Sequence, residues 1–417
     1  MCNGVLKRLA VCCLILCLCL TECLCVCADE SGTETAAQNG LGEQDVTDAS
    51  GQAASEAPEP VTFTQDRITY EIITEPDGDK DGTVRITKAN PKKSVTELKL
   101  SAYVVYENHF YRVTEIGDAV FAFSKLEKIE MPWCMEKLGD ACFYGATALK
   151  SLEFDVRLSS IGDACFSYCT ALESITIDRY SNYFKVKKGI IYTADMSEVV
   201  SGVLTSGDIT INKNAVSVRP FAFEGNHNIT SVKCNKGLKT IGEGAFYDCT
   251  QLKSVFISKT VTLVEGNPFA YCDALETFSI AAANKKYTVV DNLLLSASGK
   301  VVYSGMAASG AVTLPDTVRY VSAYAFCGNT KITEIEFGSA FKAVRAGAFY
   351  DCRSLEYVRF NSSKTQVTGG GEDLMSFGNT TYNLEVSLPP AGSTDEDTLY
   401  ESLKLNCPTK TIFTRRK

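Results

Sequence analysis

Apolar and polar positions along this chain repeat at a fixed interval. Ile161–Ile177 reads IGDACFSYCTALESITI, which abstracts to I-G-x-x-A/C-F-x-x-C-x-x-L-x-x-I-x-I. Close copies begin at Leu138, Ile241, Val264 and Val344, and looser ones at Ile116, Val218 and Val321. Starts 138 and 161, 218 and 241, 241 and 264, and 321 and 344 are each separated by 23 residues. Self-similarity of this kind predicts a stacked solenoid. In the second half of the copy, Ile175 and Ile177 alternate with Thr176, the period of a half-buried strand. In the first half, apolar residues fall at offsets 0, 4, 5 and 8, closer to one face of a helical arc. A single coil has too little apolar surface for a core. Stacking would bury it as ladders, among them Phe121, Phe143, Phe166, Phe223, Phe246, Phe269, Phe326 and Phe349.

A second period of 103 residues overlies the first, relating starts 138 and 241, 161 and 264, 218 and 321, and 241 and 344. It contains one long step of 57 residues, a repeat plus 34 inserted residues, and that step occurs twice. The inserts, near 183–215 and 285–314, match each other. Gly189-Ile-Ile-Tyr192 aligns with Asn292-Leu-Leu-Leu295, and Val199-Val-Ser-Gly202 with Val302-Tyr-Ser-Gly305. Even the departures recur, since Asn226 and Asn329 both replace the repeat's cysteine. Tandem duplication accounts for this, and each insert reads as a β-hairpin with turns near Ala194–Ser197 and Ser296–Gly299.

The motifs L-x-x-I-x-I and I-G-x-x-A-F-x-x-C resemble the BspA-type leucine-rich repeat of secreted and surface proteins, over 113–360. The resemblance implies one short strand per coil, a short helical or irregular arc opposite it, and extracellular binding or adhesion. The expected fold class is an α/β, strand-rich solenoid of about eight 23-residue coils, with two β-hairpin insertions and β-rich caps.

Outside the repeats the pattern changes. Residues 61–112 should form an N-terminal β-rich cap, with alternating runs Ile68–Thr74 and Thr83–Thr87 around the turn Pro76–Gly82. Asp77, Asp79, Asp81 and Gly82 match the opening of a calcium loop, but Lys88 stands where that loop needs a bidentate glutamate. A polar hairpin turn is therefore expected. Residues 361–417 form a C-terminal cap or tail, in which Ser393–Asp397 marks a loop while Tyr382–Leu388 and Thr409–Thr414 could be strands.

Residues 1–28 read as a signal peptide, with Lys7 and Arg8 before the apolar run Leu9–Leu20 and small residues before Asp29. Residues 29–60 contain eight acids and no Lys or Arg, a composition expected to be a disordered linker. The leader carries +1 and the linker −8 of the chain's −9, which leaves the remaining body near −2. Such a body has no basic excess to attract nucleic acid. After signal removal no membrane span is expected, and the expected location is secreted and extracellular, either free or associated with the cell surface.

Eight of the 18 cysteines belong to the leader. Of the others, Cys169, Cys249, Cys272 and Cys352 share one repeat position and Cys142 and Cys165 another. Their periodicity suits a ladder of buried thiols acting as small apolar residues. No spacing completes a metal site, and no cofactor is implied. The chain has two histidines, His109 and His227, both expected at exposed positions. Asp140, Asp163, Asp248 and Asp351 recur with the repeat and read as turn or cap residues, while a tyrosine series (Tyr144, Tyr247, Tyr350; Tyr168, Tyr271) should pack on neighbouring coils. Nothing points to an enzyme or to catalytic residues.

The expected role is a binding or adhesion module for a macromolecular partner, a protein or glycan of a host, matrix or neighbouring cell. A self-associating structural surface component is the alternative. In each L-x-x-I-x-I strand, the residues flanking the first Ile should face away from the core. Along that row Phe256 and Tyr357 are the aromatics, and with Arg359 they are the candidate binding residues by type.

Overall fold

Residues 59–369, 375–381, 383–389 and 395–415 are described by the computed structural model, without the side chains of 395–397. The expected signal peptide, and all but the last two residues of the expected linker, lie outside the described residues. The body Phe63–Lys417 is a strand-rich solenoid of about twelve turns.

Each L-x-x-I-x-I segment forms a strand that pairs in parallel with its equivalent one coil away. Ser174–Ile177 lies beside Ser151–Phe154 with Ile175 opposite Leu152 and Ile177 opposite Phe154. A one-residue slip would turn the apolar set outward, so the repeat length itself fixes the register. Three sheets of this kind contain four, four and five strands. A second series of two-residue strands, such as Ser160–Ile161 beside Lys137–Leu138, opens each I-G motif.

The arcs are chains of turns instead of the helical segments suggested by their apolar spacing. Two residues per arc adopt left-handed φ, at offsets 3 and 7 as at Ala164 (53°) and Tyr168 (58°), except that Gly266 shifts the first to offset 2 in the arc from Val264. Left-handed residues interrupt a right-handed helix. Arc amides bond instead to the next coil, as Ala141 N–H does to the Asp163 carbonyl at 2.8 Å and Phe143 N–H to that of Cys165 at 2.9 Å. Two aspartates at one repeat position, Asp118 and Asp140, extend the same ladder through their side chains. Asp118 Oδ1 accepts from Asp140 N–H and Asp140 Oδ1 from Asp163 N–H, both at 2.8 Å.

Inside the arcs the phenylalanines stack. Phe143 lies 5.7 Å from Phe121 and 5.9 Å from Phe166, Phe246 lies 4.8 Å from Phe223 and 5.7 Å from Phe269, and Phe326 lies 4.7 Å from Phe349. The cysteines do more than fill space. The S–H groups of Cys169, Cys249, Cys272 and Cys352 donate to the carbonyls of Phe143, Phe223, Phe246 and Phe326 in the preceding coil, at 3.1–3.3 Å. Where the preceding coil is an insert, asparagine takes over. Asn226 Nδ2 donates to the Gly202 and Thr205 carbonyls (2.9 and 3.0 Å), and Asn329 Nδ2 to those of Gly305 and Ala308 (2.9 and 3.1 Å). An amide with two N–H groups satisfies two carbonyls that a thiol could not.

Each insert contains the expected hairpin and one strand more. Phe184–Lys187, Ile190–Thr193 and Glu198–Ser201 are antiparallel, and the last pairs in parallel with Ser217–Val218. The second insert repeats this with Tyr287–Val290, Leu293–Ser296 and Val301–Ser304. Gly207–Thr210 and Gly310–Thr313 then join the longer-strand sheets, so each insert supplies a coil of its own. With Glu97–Lys99, Glu385–Leu388 and Ile412–Arg415 also in those sheets, the count rises from the expected eight to about twelve. Glu385–Leu388 and Ile412–Arg415 fall on the two apolar runs expected as strands near the C-terminus; Glu97–Lys99 and the insert strands carry no Phe/Cys motif to signal a coil. Across the inserts the arcs stay in contact, since Arg219 Nη1 donates to the Ile161 carbonyl at 2.9 Å and Asn267 Nδ2 to that of Tyr324 at 2.8 Å.

At the N-terminal end, Ile68–Thr74 and Gly82–Ala89 are antiparallel, and their turn is closed by reciprocal backbone bonds between Asp77 and Lys80 (3.1 and 3.0 Å). Tyr103–Tyr106 and His109–Ile116 form a second hairpin. At the other end, the expected loop at Ser393–Asp397 gives way to an α-helix, Asp395–Asn406. Leu399 and Leu403 on this helix, and Cys407 just past its end, recur every fourth residue and are buried, an apolar face hidden in a polar stretch. Among the described residues no helix is long and apolar enough to cross a membrane.

Candidate functional site

The strand row presents its alternate side chains as period 2 requires. In Ser254–Ile257, Val255 and Ile257 are fully buried and Phe256 is half-buried; in Tyr357–Phe360, Val358 and Phe360 are fully buried while Tyr357 and Arg359 are half-buried. The three candidate residues do not converge. Phe256 belongs to the sheet of Gly207–Thr210 through Thr277–Ile280, and Tyr357 and Arg359 to the sheet that begins at Gly310–Thr313. Thr277–Ile280, Gly310–Thr313 and Ile332–Phe337 come between them in the stack.

Two separate contact points result. At the first, Phe256 is flanked by Lys233 and Ser279 in register, and Lys233 Nζ lies 6.0 Å from its ring centre. At the second, the Arg359 guanidinium lies 5.7 Å from the Tyr357 ring and 3.8 Å from Glu336 Oε1. Asn361 Nδ2 donates to the same Glu336 oxygen at 2.8 Å. Arg359 Nε is buried and has no acceptor among the described residues. A buried N–H without an acceptor is costly. At the N-terminal end of the row the charges pair among themselves, as in Lys128 with Glu130 at 2.9 Å and Lys99 with Glu130 at 3.6 Å.

The other sequence candidates serve the fold. The ten cysteines from Cys134 to Cys407 are all buried and unbridged. Tyr144 and Tyr168 pack with ring centres 5.2 Å apart, as do Tyr247 and Tyr271 at 5.1 Å. His109 is exposed, whereas His227 is only partly so, with Nε2 3.4 Å from Asp248 Oδ2 and its ring edge-on to Tyr168. Among the described residues, no three His, Cys, Asp or Glu side chains are grouped to hold a metal ion.

Two features escaped sequence reasoning. Glu224 is buried where the first insert ends, and burial pushes its carboxyl up to about 8, with Asp248 adding to the effect and bonds from Ser167 and Tyr144 opposing it. A signal existed, because offset 6 of the other arcs is filled by uncharged residues such as Ser167, Tyr247 and Cys327. Trp133, the chain's one tryptophan, stands 46% exposed after the strand Lys128–Glu130. It lies outside the repeat motif, so periodicity gave it no role.

A model of the BspA-type leucine-rich repeat region, in six copies, matches residues 107–200, 201–292 and 299–405. No curated protein matches the chain. Among solved structures, a leucine-rich cell surface protein from Faecalibacterium prausnitzii is 20% identical, covering 86% of this chain and 96% of that one with a TM-score of 0.46. A leucine-rich repeat protein from Eubacterium ventriosum is 14% identical, covering 86% of each chain with a TM-score of 0.40. The pneumococcal vaccine antigen PcpA is 15% identical over 86% of this chain and 99% of that one, with a TM-score of 0.37. With the family model spanning well over half the sequence, and with strand, arc and ladder in each matching coil, the chain belongs to the BspA-type leucine-rich repeat family.

Proposed function

We propose that this protein is a secreted or surface-exposed, non-catalytic binding module that recognises a macromolecular partner, a protein or a glycan, on the outer side of its parallel strands. Membership of the family implies a repeat-built interaction or surface role. The observation that carries the finer reading is the Tyr357–Arg359 pair, an aromatic and a guanidinium side by side on the outward row of the strands. Arginine and tyrosine are the residue types that dominate binding energy at protein interfaces. Phe256 supplies a second, apolar contact several strands away, a spacing that suits an extended partner better than a small molecule.

The test begins with a screen of the protein against matrix proteins and glycans. Phe256, Tyr357 and Arg359 are then exchanged for Ala, folding is checked, and affinity for the ligand found is measured. Loss of at least about tenfold is expected, the scale of one strong interface residue. Binding that survives the triple change within about twofold places the site elsewhere.

A further inference from the structure

A cleft of ≈ 500 Å³ opens at the N-terminal end, between the turn of the first hairpin and the residues that follow the next coil. One wall is acidic, formed by Glu75, Asp77, Asp79 and Asp81. Against these four carboxylates stand Lys80 and Arg112 in the lining and Arg157 on the Trp133 ring, which leaves an excess of one negative charge. The lining also presents two aromatic rings to solvent, Tyr103 at 38% and Trp133 at 46% exposure. Asp77, Asp79 and Asp81 are exposed, and Glu75 accepts the Tyr111 hydroxyl at 2.7 Å. The Trp133 ring already draws a cation, since the Arg157 guanidinium lies 5.0 Å from its centre.

The geometry points to a binding site for a cationic side chain, arginine or lysine, carried on an exposed segment of a partner protein. Aromatic faces attract cations through the ring quadrupole, and the surplus carboxylate would complete the charge. A neutral sugar could stack on the same rings, but it would leave the acidic excess uncompensated. An acidic partner would be repelled. The site is independent of the strand row, being built from the hairpin turn and from Tyr103 and Trp133, none of which belongs to the repeat motif.

Because Trp133 is the only tryptophan, its fluorescence reports this cleft alone. The full chain is titrated at low ionic strength with tri-arginine, tri-glutamate and maltotriose. Tri-arginine should shift the emission saturably, and tri-glutamate and maltotriose should not. Affinity should fall as salt rises, because the contributing charges are exposed. The variant Asp77→Asn/Asp79→Asn/Asp81→Asn should bind tri-arginine about tenfold more weakly, the summed effect of three exposed charges, with an unchanged circular dichroism spectrum. Emission unmoved by tri-arginine, equal affinity in the variant, or saturable binding of maltotriose in preference to tri-arginine would each overturn the assignment. Should the variant not fold, the salt series and the three probes on the unaltered chain decide the matter.

Discussion

Gly202 lies so close to Phe223 that a β-carbon on the glycine would come within 1.9 Å of the ring, and Gly305 stands in the same relation to Phe326 at 2.0 Å. At both inserts the glycine meets the first phenylalanine of the next stack. The ring fills the space where any side chain would begin. This explains why Val199-Val-Ser-Gly202 and Val302-Tyr-Ser-Gly305 end alike.

Gly202→Ala should therefore destabilise the protein although alanine is small and the backbone there is not left-handed. Overpacking of a filled core costs about 1–3 kcal/mol. Urea unfolding of Gly202→Ala and Gly305→Ala would check this, with losses of similar size expected at the two sites. A neutral result at both would mean that Phe223 and Phe326 move aside freely.

Phe246 is fully buried between Phe223 and Phe269. Its replacement by Ala should cost about 3–5 kcal/mol, the usual range for emptying an aromatic core site. In a repeat array the loss can appear as opening of neighbouring coils before global melting. Limited proteolysis beside a thermal melt would show either form, and no change in both would contradict the stacking.

Burial pushes the thiols of Cys234 and Cys327 up to about 12, and those of Cys165, Cys249 and Cys352 well above the ordinary range. Since the thiolate is the reactive form, these five should resist iodoacetamide in the native protein, and burial should shield the rest of the ten from Cys134 to Cys407 until denaturant exposes them. Peptide mapping of the alkylated sites gives the answer. Rapid native labelling of any one of them would place it at the surface.

Glu224 carries a pH dependence with a definite sign. Its folded-state pKa, about 8, lies above the ordinary value of 4.5, so folding favours the protonated form. The stability this group contributes is complete below pH ~4.5 and is lost as pH rises through about 8. Glu224→Gln keeps a neutral acceptor for the Tyr144 hydroxyl and removes the ionisation. Melting temperatures of the two proteins, compared from pH 5 to 9, should diverge as pH rises, with the Gln variant the more stable at the alkaline end. Curves that stay parallel across that range would show that Glu224 is not held protonated.

The fold was legible because a solenoid writes its tertiary contacts into its period. Ile175 meets Leu152 and Phe143 meets Phe166 at the interval by which the motif repeats. The duplication was legible for the same reason, down to the substitution of Asn226 and Asn329 for cysteine. Of the candidate site, the outward placement of Phe256, Tyr357 and Arg359 followed from strand alternation alone.

Other features depended on contacts that the apolar pattern does not record. Turns form the arcs because coil-to-coil hydrogen bonds engage left-handed residues such as Ala141 and Asp248, a pairing that their apolar spacing does not record. The extra coils come from strands such as Gly207–Thr210, held by backbone pairing that carries no side-chain signature. The break that puts Phe256 and Tyr357 in different sheets, and the cleft that joins Asp79 to Trp133, are likewise set by packing across the inserts and the cap. Periodicity specifies which residues are equivalent between coils. Which unlike residues meet is decided only when the coils, inserts and ends close against one another and exclude water.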